Sequence, residues 1–490
     1  MPEFRSSVGN SIAHHDNASI EWEAVWGRYG ALMDDLPAAI AAAQRPLPVG
    51  FWVNPLKAPV VPETLAALRA LGVDCTSIPW MPGAFRSLHW VAPGHTLPFF
   101  AGWCYVQEEI AMTAIAALDP QPGDRVLDLC AAPGGKTAQI ALRVGDTGCV
   151  LANERNPGRM ASLTATIARL GLTNVITTQA DGRELALLPG SFDRILVDAP
   201  CSGEGTLRRR KQPKPWNSTH SQRIAAVQRR LLDRALTLVK PGGVVVYSTC
   251  TFAPEENEAV IDAVLGDRGG LESFDLPTLH GQPGQDHWQG QTYRGDLRHA
   301  QRYWPHLNDT GGFFVARIRR ADTQIPNSPP AQSIADPLAM PWTPTSPLQE
   351  LSRRFGLPVS QLEANSLCWT TGQRRQWLTS AHCIPPATLA PQTLGIPLAT
   401  QTPRGLKPTT AFLQRFGPHI QQNRVMLDTL TQVETFLQGR SQALASTAIA
   451  TEGYVHVGYG PYHLGCGWYQ HNRLQSQIPK TLQWVKPQKS

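Results

Sequence analysis

The amino-acid sequence predicts an α/β fold whose central unit is a mostly parallel sheet with helices on both faces. From about residue 125 to 320, short apolar runs rich in β-branched residues alternate with segments of helical periodicity. The first run ends in the turn AAPGG, and a helical segment follows directly, as in ligand-binding strand-to-helix units. At 490 residues the chain is long enough for two to four domains.

The predicted elements of this central unit follow one another in a regular order. The strand segments are RVLDLC, CVLANE, NVITTQA, FDRILVDAP, VVVYSTC and, near the end, GGFFVARIRR at 311–320. The helical segments are KTAQIALRV, GRMASLTATIARLG and a long candidate at 221–239. Strands joined in this way run parallel, so their carboxyl ends meet at one edge of the sheet, where ligands bind.

The flanking sequence predicts separate units. Helical segments, the strand-like VGFWVN and the amphipathic ETLAALRALGV indicate an α+β domain within 1–100, which places the core at 101–321. Residues 322–347 are rich in proline and polar residues and predict a linker. The region 348–490 begins with a helical pattern and ends in short apolar runs with glycine and tyrosine, which predicts a small β-rich module.

Composition limits the class of protein. With 42% hydrophobic and 17% charged residues the chain is globular, and it has neither an apolar run long enough to span a membrane nor a secretion signal. We therefore expect a cytoplasmic protein. Nine cysteines without a CxxC pair indicate reduced thiols and no zinc site. The net charge is only +6, but LRRRKQPK at 207–214 is locally basic and is either a solvated loop or a phosphate-binding one.

The turn after the first strand predicts a cofactor site. In DRVLDLCAAPGGKTAQIA the chain passes from a strand through two glycines into a helix, which leaves backbone N–H groups available at a helix N-terminus. Glu154 ends the second strand, where a carboxylate accepts hydrogen bonds from ribose hydroxyls, and Asp181 lies at the end of the third. A glycine pair alone is more often a simple turn, but the two spaced acids favour a cofactor.

Two cysteines occupy matching places at later strand ends. Asp198 and Cys201 follow the fourth strand in DAPCSGEG, and Cys250 follows the fifth in YSTCTFAPEEN. Most buried cysteines are inert apolar residues. These two precede turn segments at the edge where catalytic residues of α/β folds lie. We therefore expect both thiols beside the cofactor cleft.

Three segments, LCAAPGGKT, VDAPCSGEGTLRR and YSTCTFAPEENEAVI, together resemble the Nol/Nop/Sun family of RNA (cytosine-5) methyltransferases. The resemblance covers roughly 45–320 and includes PVGFWVNPLK and GWCYVQEEIAMTA. The late segment EGYVHVGYGPYHLGCG resembles the RsmF-type branch, which acts on small-subunit ribosomal RNA. The resemblance implies a Rossmann-like class I methyltransferase core with a seven-stranded, mostly parallel sheet. It also implies a C-terminal RNA-binding region with a PUA-like end.

The resemblance further implies a cofactor, a partner and roles for individual residues. The cofactor is S-adenosylmethionine, with Glu154 at its ribose and Asp181 near its adenine. Cys250 matches the nucleophile, and Cys201 matches the cysteine that assists release of the covalent intermediate. The partner is RNA, with ribosomal RNA preferred over transfer RNA, and the chain is expected to be monomeric. The other residues implied to hold the cofactor are Cys130, Ala131, Ala132, Pro133, Gly134, Gly135, Lys136 and Asp198.

The chemistry of cytosine methylation agrees with two thiols in one cleft. Carbon 5 is a poor nucleophile while the ring is aromatic, but a thiolate bonded to carbon 6 makes carbon 5 enamine-like. After methyl transfer a base must remove the proton at carbon 5 before the sulfur leaves. Asp198 is placed to accept a hydrogen bond from the exocyclic amine, which favours cytosine over uracil. The base must be unstacked to react, which favours single-stranded or loop RNA.

Several alternatives remain open at this point. Cys201 follows proline as the nucleophile of DNA cytosine-5 methyltransferases does, so it competes with Cys250 for that role. One alternative is that the substrate is a transfer RNA. Another is that the chain is an RNA-binding assembly factor without catalytic activity. Such a factor should show damage to the site, and none is present in the sequence. An amino-methyltransferase would end the fourth strand in Asn-Pro-Pro-Tyr, whereas this chain has Asp-Ala-Pro-Cys.

Overall fold

The computed structural model describes residues 22–58, 61–209, 216–322, 347–358, 366–371, 375–386, 388–444 and 450–484. The N-terminal unit is a four-stranded antiparallel sheet, in the order β2-β3-β1-β4, with short helices around it. Strand β1 is almost fully buried, and its Phe51 ring stacks on Phe85 with centroids 5.6 Å apart. The elements are α1 (Trp22–Trp26), α2 (Leu36–Ala43), β1 (Val49–Val53), α3 (Val61–Arg69), β2 (Thr76–Ser77), β3 (Ala84–Ser87), α4 (Leu97–Phe100) and β4 (Cys104–Val106).

The core follows the predicted alternation of strands and helices. Its elements are α5 (Thr113–Leu118), β5 (Arg125–Asp128), α6 (Gly135–Val144), β6 (Cys149–Asn153), α7 (Pro157–Leu170), β7 (Val175–Thr178), β8 (Phe192–Asp198), α8 (Ser218–Leu238), β9 (Val239–Thr249), α9 (Glu258–Leu265), β10 (Gly269–Glu272), β11 (Gln282–Pro283), β12 (His287–Trp288), β13 (Gln291–Thr292), β14 (Gln301–Tyr303), α10 (Pro305–Asn308) and β15 (Phe313–Arg320). Turn chemistry sets the helix boundaries. Asn156 caps α7 by accepting from the N–H of Gly158, and Gly171, with a φ of 76°, follows its last residue.

The central sheet confirms the predicted α/β class. Five strands, in the order β7-β6-β5-β8-β9, run parallel; β15 pairs antiparallel with β9, and β14 pairs antiparallel with β15, so that β14 runs in the same direction as the five. These are the seven strands expected, but the described sheet has ten, because β10, β11 and β18 also pair with it. The parallel strands are buried on both faces, which explains their nearly continuous apolar sequences.

The C-terminal region contains a four-stranded antiparallel sheet and a five-stranded mixed sheet. Its elements are α11 (Pro347–Phe355), β16 (Ser366–Thr371), β17 (Arg375–Ser380), β18 (Pro391–Leu394), β19 (Ile396–Thr402), β20 (Gly405–Pro408), α12 (Thr410–Phe416), β21 (Arg424–Met426), α13 (Leu430–Leu437), β22 (Ser441–Ala443), β23 (Gly453–Tyr459), β24 (Tyr462–Gln470) and β25 (Arg473–Ser476). The β-rich character predicted for the last residues is present in β22 to β25. Residues 323–346 of the predicted linker lie outside the described residues.

The C-terminal region is joined to both other units. Strand β18 extends the core sheet by pairing antiparallel with β7, and the hydroxyls of Thr393 and Thr177 lie 2.7 Å apart. The rings of Trp103 and Tyr462 pack with centroids 4.5 Å apart between the N-terminal and C-terminal units. Within the described part of the chain, no helix combines the length and apolarity that crossing a bilayer requires.

Candidate active site

The loop between β5 and α6 forms a close-fitting turn. Gly134 has a φ of 105°, a conformation that favours glycine, and α6 begins at the next residue. A Cβ on Gly135 would lie 2.6 Å from Cε1 of Tyr105 and 2.8 Å from Oε1 of Gln107. Only glycine therefore fits at position 135 without displacing its neighbours, and Gly135 lines the smaller pocket at the N-terminus of α6.

The carboxyl ends of the parallel strands border a cleft of about 780 Å³. A smaller pocket of about 180 Å³ adjoins it and shares Cys130 and Asp198 with it. The predicted site residues in the cleft wall are Cys130, Glu154, Asp181, Asp198, Cys201 and Cys250. Those in the wall of the smaller pocket are Cys130, Ala131, Ala132, Pro133, Gly135, Lys136 and Asp198. Gly134 is in neither wall and shapes the turn instead.

Glu154 presents an acceptor to the cleft. Its side chain is only 5% exposed, and Oε1 accepts a hydrogen bond of 2.8 Å from the backbone N–H of Asn156. Its Oε2 makes no hydrogen bond to the described residues, although a guanidinium nitrogen of Arg159 lies 3.2 Å away. A buried oxygen of this kind needs a donor. A hydroxyl group on a bound ligand would supply one.

Asp181 is held in its ionised form at the far end of the cleft. The Nε of Arg183 donates to Asp181 Oδ1 at 2.9 Å, and this hydrogen bond lowers the pKa of Asp181 to about 2. The backbone N–H of Arg183 donates to the same oxygen at 3.1 Å. The Nη2 of Arg183 donates to the other oxygen, Oδ2, at 2.5 Å, so both oxygens accept from Arg183, while the side chain as a whole lines the cleft.

The sequence reasoning did not single out Asp128, which the structure places under the glycine turn. The carboxyl group is buried, Oδ2 accepts from the Thr137 hydroxyl at 2.7 Å, and Oδ1 makes no hydrogen bond to the described residues. Burial raises the pKa of Asp128 to about 7. The available signal was an acid at the end of an otherwise apolar strand, RVLD.

Asp198 lies between the cleft and the smaller pocket. Its Oδ2 accepts from the Lys136 ammonium at 2.8 Å, and its Oδ1 accepts from the Ser248 hydroxyl at 2.8 Å. These bonds join the end of β8 to the start of α6 and the end of β9. A carboxylate has about four acceptor positions, so the group can still accept from a ligand.

The two cysteines at the strand ends lie side by side. The sulfur atoms of Cys201 and Cys250 are 3.2 Å apart, well beyond the roughly 2.05 Å of a disulfide. The hydrogen bond to Cys250 and burial raise the pKa of Cys201 well above its usual range. Cys201 therefore retains its proton, and its thiol lies within hydrogen-bond reach of the Cys250 sulfur.

Two buried acids hold the thiol loops, and the sequence reasoning missed both. Glu256 is fully buried and accepts from the backbone N–H of Ser202 at 2.9 Å and from the Ser221 hydroxyl at 2.8 Å. Glu204 accepts from the hydroxyls of Thr251 and Tyr29, and burial raises the pKa of Glu204. The segments SGEG and PEEN contain these acids, but their sequence does not distinguish a buried acid from a solvated one.

In the basic run after Cys201, the Arg208 side chain contacts other parts of the protein. Arg208 is 1% exposed and donates to Asp309 Oδ1 at 2.9 Å and to the carbonyl oxygens of Thr310 and Pro46 at 2.9 and 2.8 Å. Arg208 therefore binds the protein itself, and phosphate binding by the rest of the run 207–214 stays a prediction. Residues 210–215 lie outside the described residues. Within the described ranges, no cluster of His, Cys, Asp and Glu has the geometry of a metal site.

Comparison with known proteins agrees with this geometry. The family model described as 16S rRNA methyltransferase RsmB/F matches residues 115–319. A ribosomal RNA small subunit methyltransferase F of Klebsiella pneumoniae is 37% identical over 342 residues, covering 68% of each chain. The protein of the same name from Aeromonas hydrophila is 33% identical over 459 residues, covering 90% of this chain and 92% of that one. A solved structure of a methyltransferase homologue from Pyrococcus horikoshii is 32% identical, with a TM-score of 0.51, and covers 61% of this chain and 92% of that one.

Proposed function

The chain belongs to the RsmB/F family of 16S rRNA methyltransferases, and on that premise we propose that it methylates carbon 5 of a cytosine in small-subunit ribosomal RNA. The observation that carries this proposal is the pair of sulfur atoms, 3.2 Å apart, at the edge of the cleft. A methyltransferase acting on an amine or a hydroxyl has no need of two thiols. Carbon 5 of a pyrimidine requires a nucleophile at carbon 6 and a base at carbon 5.

The cleft fits S-adenosylmethionine, the methyl donor of the family. When bound, this cofactor supplies an electrophilic methyl group on its sulfonium. The Oε2 of Glu154, whose described partner is the Arg159 guanidinium at 3.2 Å, suits a ribose hydroxyl as a further donor, and the Asp181 carboxylate in the cleft wall suits the adenine amine. The loop 130–136 would hold the amino-acid end of the cofactor, since it lines the smaller pocket and leads into the N-terminus of α6.

The first step is attack by Cys250. Its thiolate forms a bond to carbon 6 of the cytosine, and the electron pair of the 5,6 double bond becomes available at carbon 5. Cys201 supports this step because its proton, shared with the neighbouring sulfur, stabilises the thiolate before attack. Carbon 5 then takes the methyl group and becomes saturated, still carrying its original hydrogen.

The second step restores the aromatic ring. The proton on carbon 5 is removed, its electron pair re-forms the 5,6 double bond, and the carbon 6–sulfur bond breaks to release Cys250 as a thiolate. Cys201 is close enough to assist this elimination, since its sulfur lies beside the leaving sulfur. As the Cys250 sulfur leaves, the Cys201 thiol passes its proton to that thiolate, and the Cys201 thiolate formed in this way accepts the proton from carbon 5.

The polar edge of the base is assigned to Asp198 and Lys136. The carboxylate of Asp198 can accept from the exocyclic amine of cytosine, and the Lys136 ammonium, 2.8 Å from it, can donate to the carbonyl side of the ring. Uracil has a carbonyl oxygen in place of the amine, so Asp198 disfavours it. We assign the N-terminal unit, whose sheet extends beyond residue 100 to include β4, and the region 348–490 to the positioning of the RNA around this site.

Methylation of purified small-subunit ribosomal RNA tests the proposal. The complete chain is incubated with S-adenosylmethionine and RNA lacking the modification, and bisulfite sequencing then reads every cytosine. We expect one cytosine to resist conversion after treatment with the unaltered chain, but not after treatment with Cys250→Ala. The control Cys149→Ala, which replaces a buried cysteine in β6, should act like the unaltered chain. Resistance that persists in Cys250→Ala, or modification of transfer RNA alone, would contradict the proposal.

A further inference from the structure

An N-terminal segment, α1 and the residues directly after it, packs against the loop that follows Cys250. The Trp26 ring meets the Phe252 ring edge-on with centroids 5.4 Å apart, and the Tyr29 ring meets Phe252 at 5.9 Å. Arg28 pairs with Glu255 at 2.7 Å. This segment lies outside residues 115–319, which the family model matches.

A chain of hydrogen bonds runs from this segment to both thiol loops. The buried Tyr29 hydroxyl donates to Glu204 Oε2 at 2.7 Å, and the Thr251 hydroxyl donates to the same oxygen at 2.8 Å. The hydroxyls of Ser202 and Thr251 lie 2.8 Å apart. Since Thr251 has one hydroxyl proton and gives it to Glu204, Ser202 must be the donor in this pair. The chain therefore has a fixed direction, with Glu204 as its final acceptor.

The two hydroxyl residues in this chain are the immediate neighbours of the thiols. Ser202 follows Cys201, and Thr251 follows Cys250. The backbone N–H of Gly205 also donates to the carbonyl oxygen of Cys250 at 2.8 Å. The position of Glu204 thus fixes the two thiol loops relative to each other, and Tyr29 is one of the two hydroxyl donors that hold its Oε2.

We propose that Tyr29 is a positioning residue for methyl transfer, which acts through Glu204 to set the relative position of the two thiols. The inference rests on the proposed function and adds a requirement for the N-terminal segment. Attack and elimination need both sulfur atoms at the ring of one base. A misplacement of about 1 Å can reduce the rate of such a reaction about 100-fold.

The substitution Tyr29→Phe isolates the hydroxyl, because the ring and its contact with Phe252 remain. A second variant, Thr251→Val, removes the next donor to Glu204, whereas Thr251→Ser keeps it. Tyr303→Phe is the matched control, since it removes the hydroxyl of another buried tyrosine, in β14. All variants are made in the complete chain, and the folded fraction is checked by thermal unfolding.

We expect Tyr29→Phe to lower kcat at least tenfold while KM for RNA and for S-adenosylmethionine changes by less than about twofold. The share of enzyme covalently bound to RNA at steady state should change as well, because the two steps depend differently on the second thiol. Thr251→Val should act like Tyr29→Phe, and the double variant should be no slower than the slower single variant. Thr251→Ser and Tyr303→Phe should keep near-normal kcat.

A kcat within twofold of the unaltered chain for Tyr29→Phe would overturn the inference. So would an equal loss in Tyr303→Phe, or multiplied losses in the double variant, since either would indicate a general effect on stability. Failure of the unaltered chain to methylate RNA would overturn the proposed function instead.

Discussion

Asp128 offers a quantitative test, because burial, reinforced by the neighbouring Asp198 carboxylate, raises its pKa by a large amount. The structure raises the pKa of this carboxyl from its ordinary 3.8 to about 7. Between these values the unfolded chain is ionised while the folded chain stays protonated. The free energy of unfolding therefore falls as pH rises through this window, by about 1.4 kcal/mol per unit, and levels off above pH 7.

The substitution Asp128→Asn removes this ionisation while keeping the shape of the side chain. Between pH 5 and pH 8 the free energy of unfolding should fall by about 3 kcal/mol more in the unaltered chain than in the variant. Chemical denaturation of both proteins at the two pH values, without cofactor, measures this difference. Parallel losses in the two proteins would refute the reasoning, since they would place the titration elsewhere.

Two further predictions concern the cofactor turn and the buried ion pair. Gly135→Ala should weaken binding of S-adenosylmethionine at least tenfold, as measured by calorimetry, because the new Cβ would lie 2.6 Å from the Tyr105 ring. The control Gly295→Ala should leave the affinity unchanged, because the space around Gly295 is open. Equal affinities of the two variants would argue against a tight turn. Arg302→Met should cost about 3–5 kcal/mol in urea unfolding, because it leaves the fully buried Glu258 carboxylate without the guanidinium that donates to it at 2.7 Å. A cost below about 1 kcal/mol would contradict this estimate.

The position of the thiols was predictable because it follows from local sequence. Apolar runs such as FDRILVDAP and VVVYSTC mark strand ends, and parallel strands bring their ends to one edge. The structure places Cys201 and Cys250 together there, next to the glycine turn. The same logic placed Glu154 and Asp181 in the cleft wall.

The parts that sequence reasoning missed depend on contacts between distant residues. Tyr29 is 175 positions from Glu204, and in the sequence it is one of several aromatic residues in a helical segment. Strand β18 has no marked alternation, and it forms because the edge of β7 has unpaired backbone groups. Arg208 belongs to a basic run, and only the fold brings Asp309 and two carbonyl oxygens to it.

The most direct test of the account asks which sulfur bonds to the base. RNA containing 5-fluorocytosine at the target position is incubated with the unaltered chain and S-adenosylmethionine, so that fluorine on carbon 5 blocks the final proton removal and traps the adduct. After digestion, mass spectrometry identifies the modified peptide. We predict that the nucleotide is attached to the peptide that contains Cys250. Attachment to the Cys201 peptide would contradict the account. So would the absence of any adduct when the chain methylates the same RNA made with ordinary cytosine.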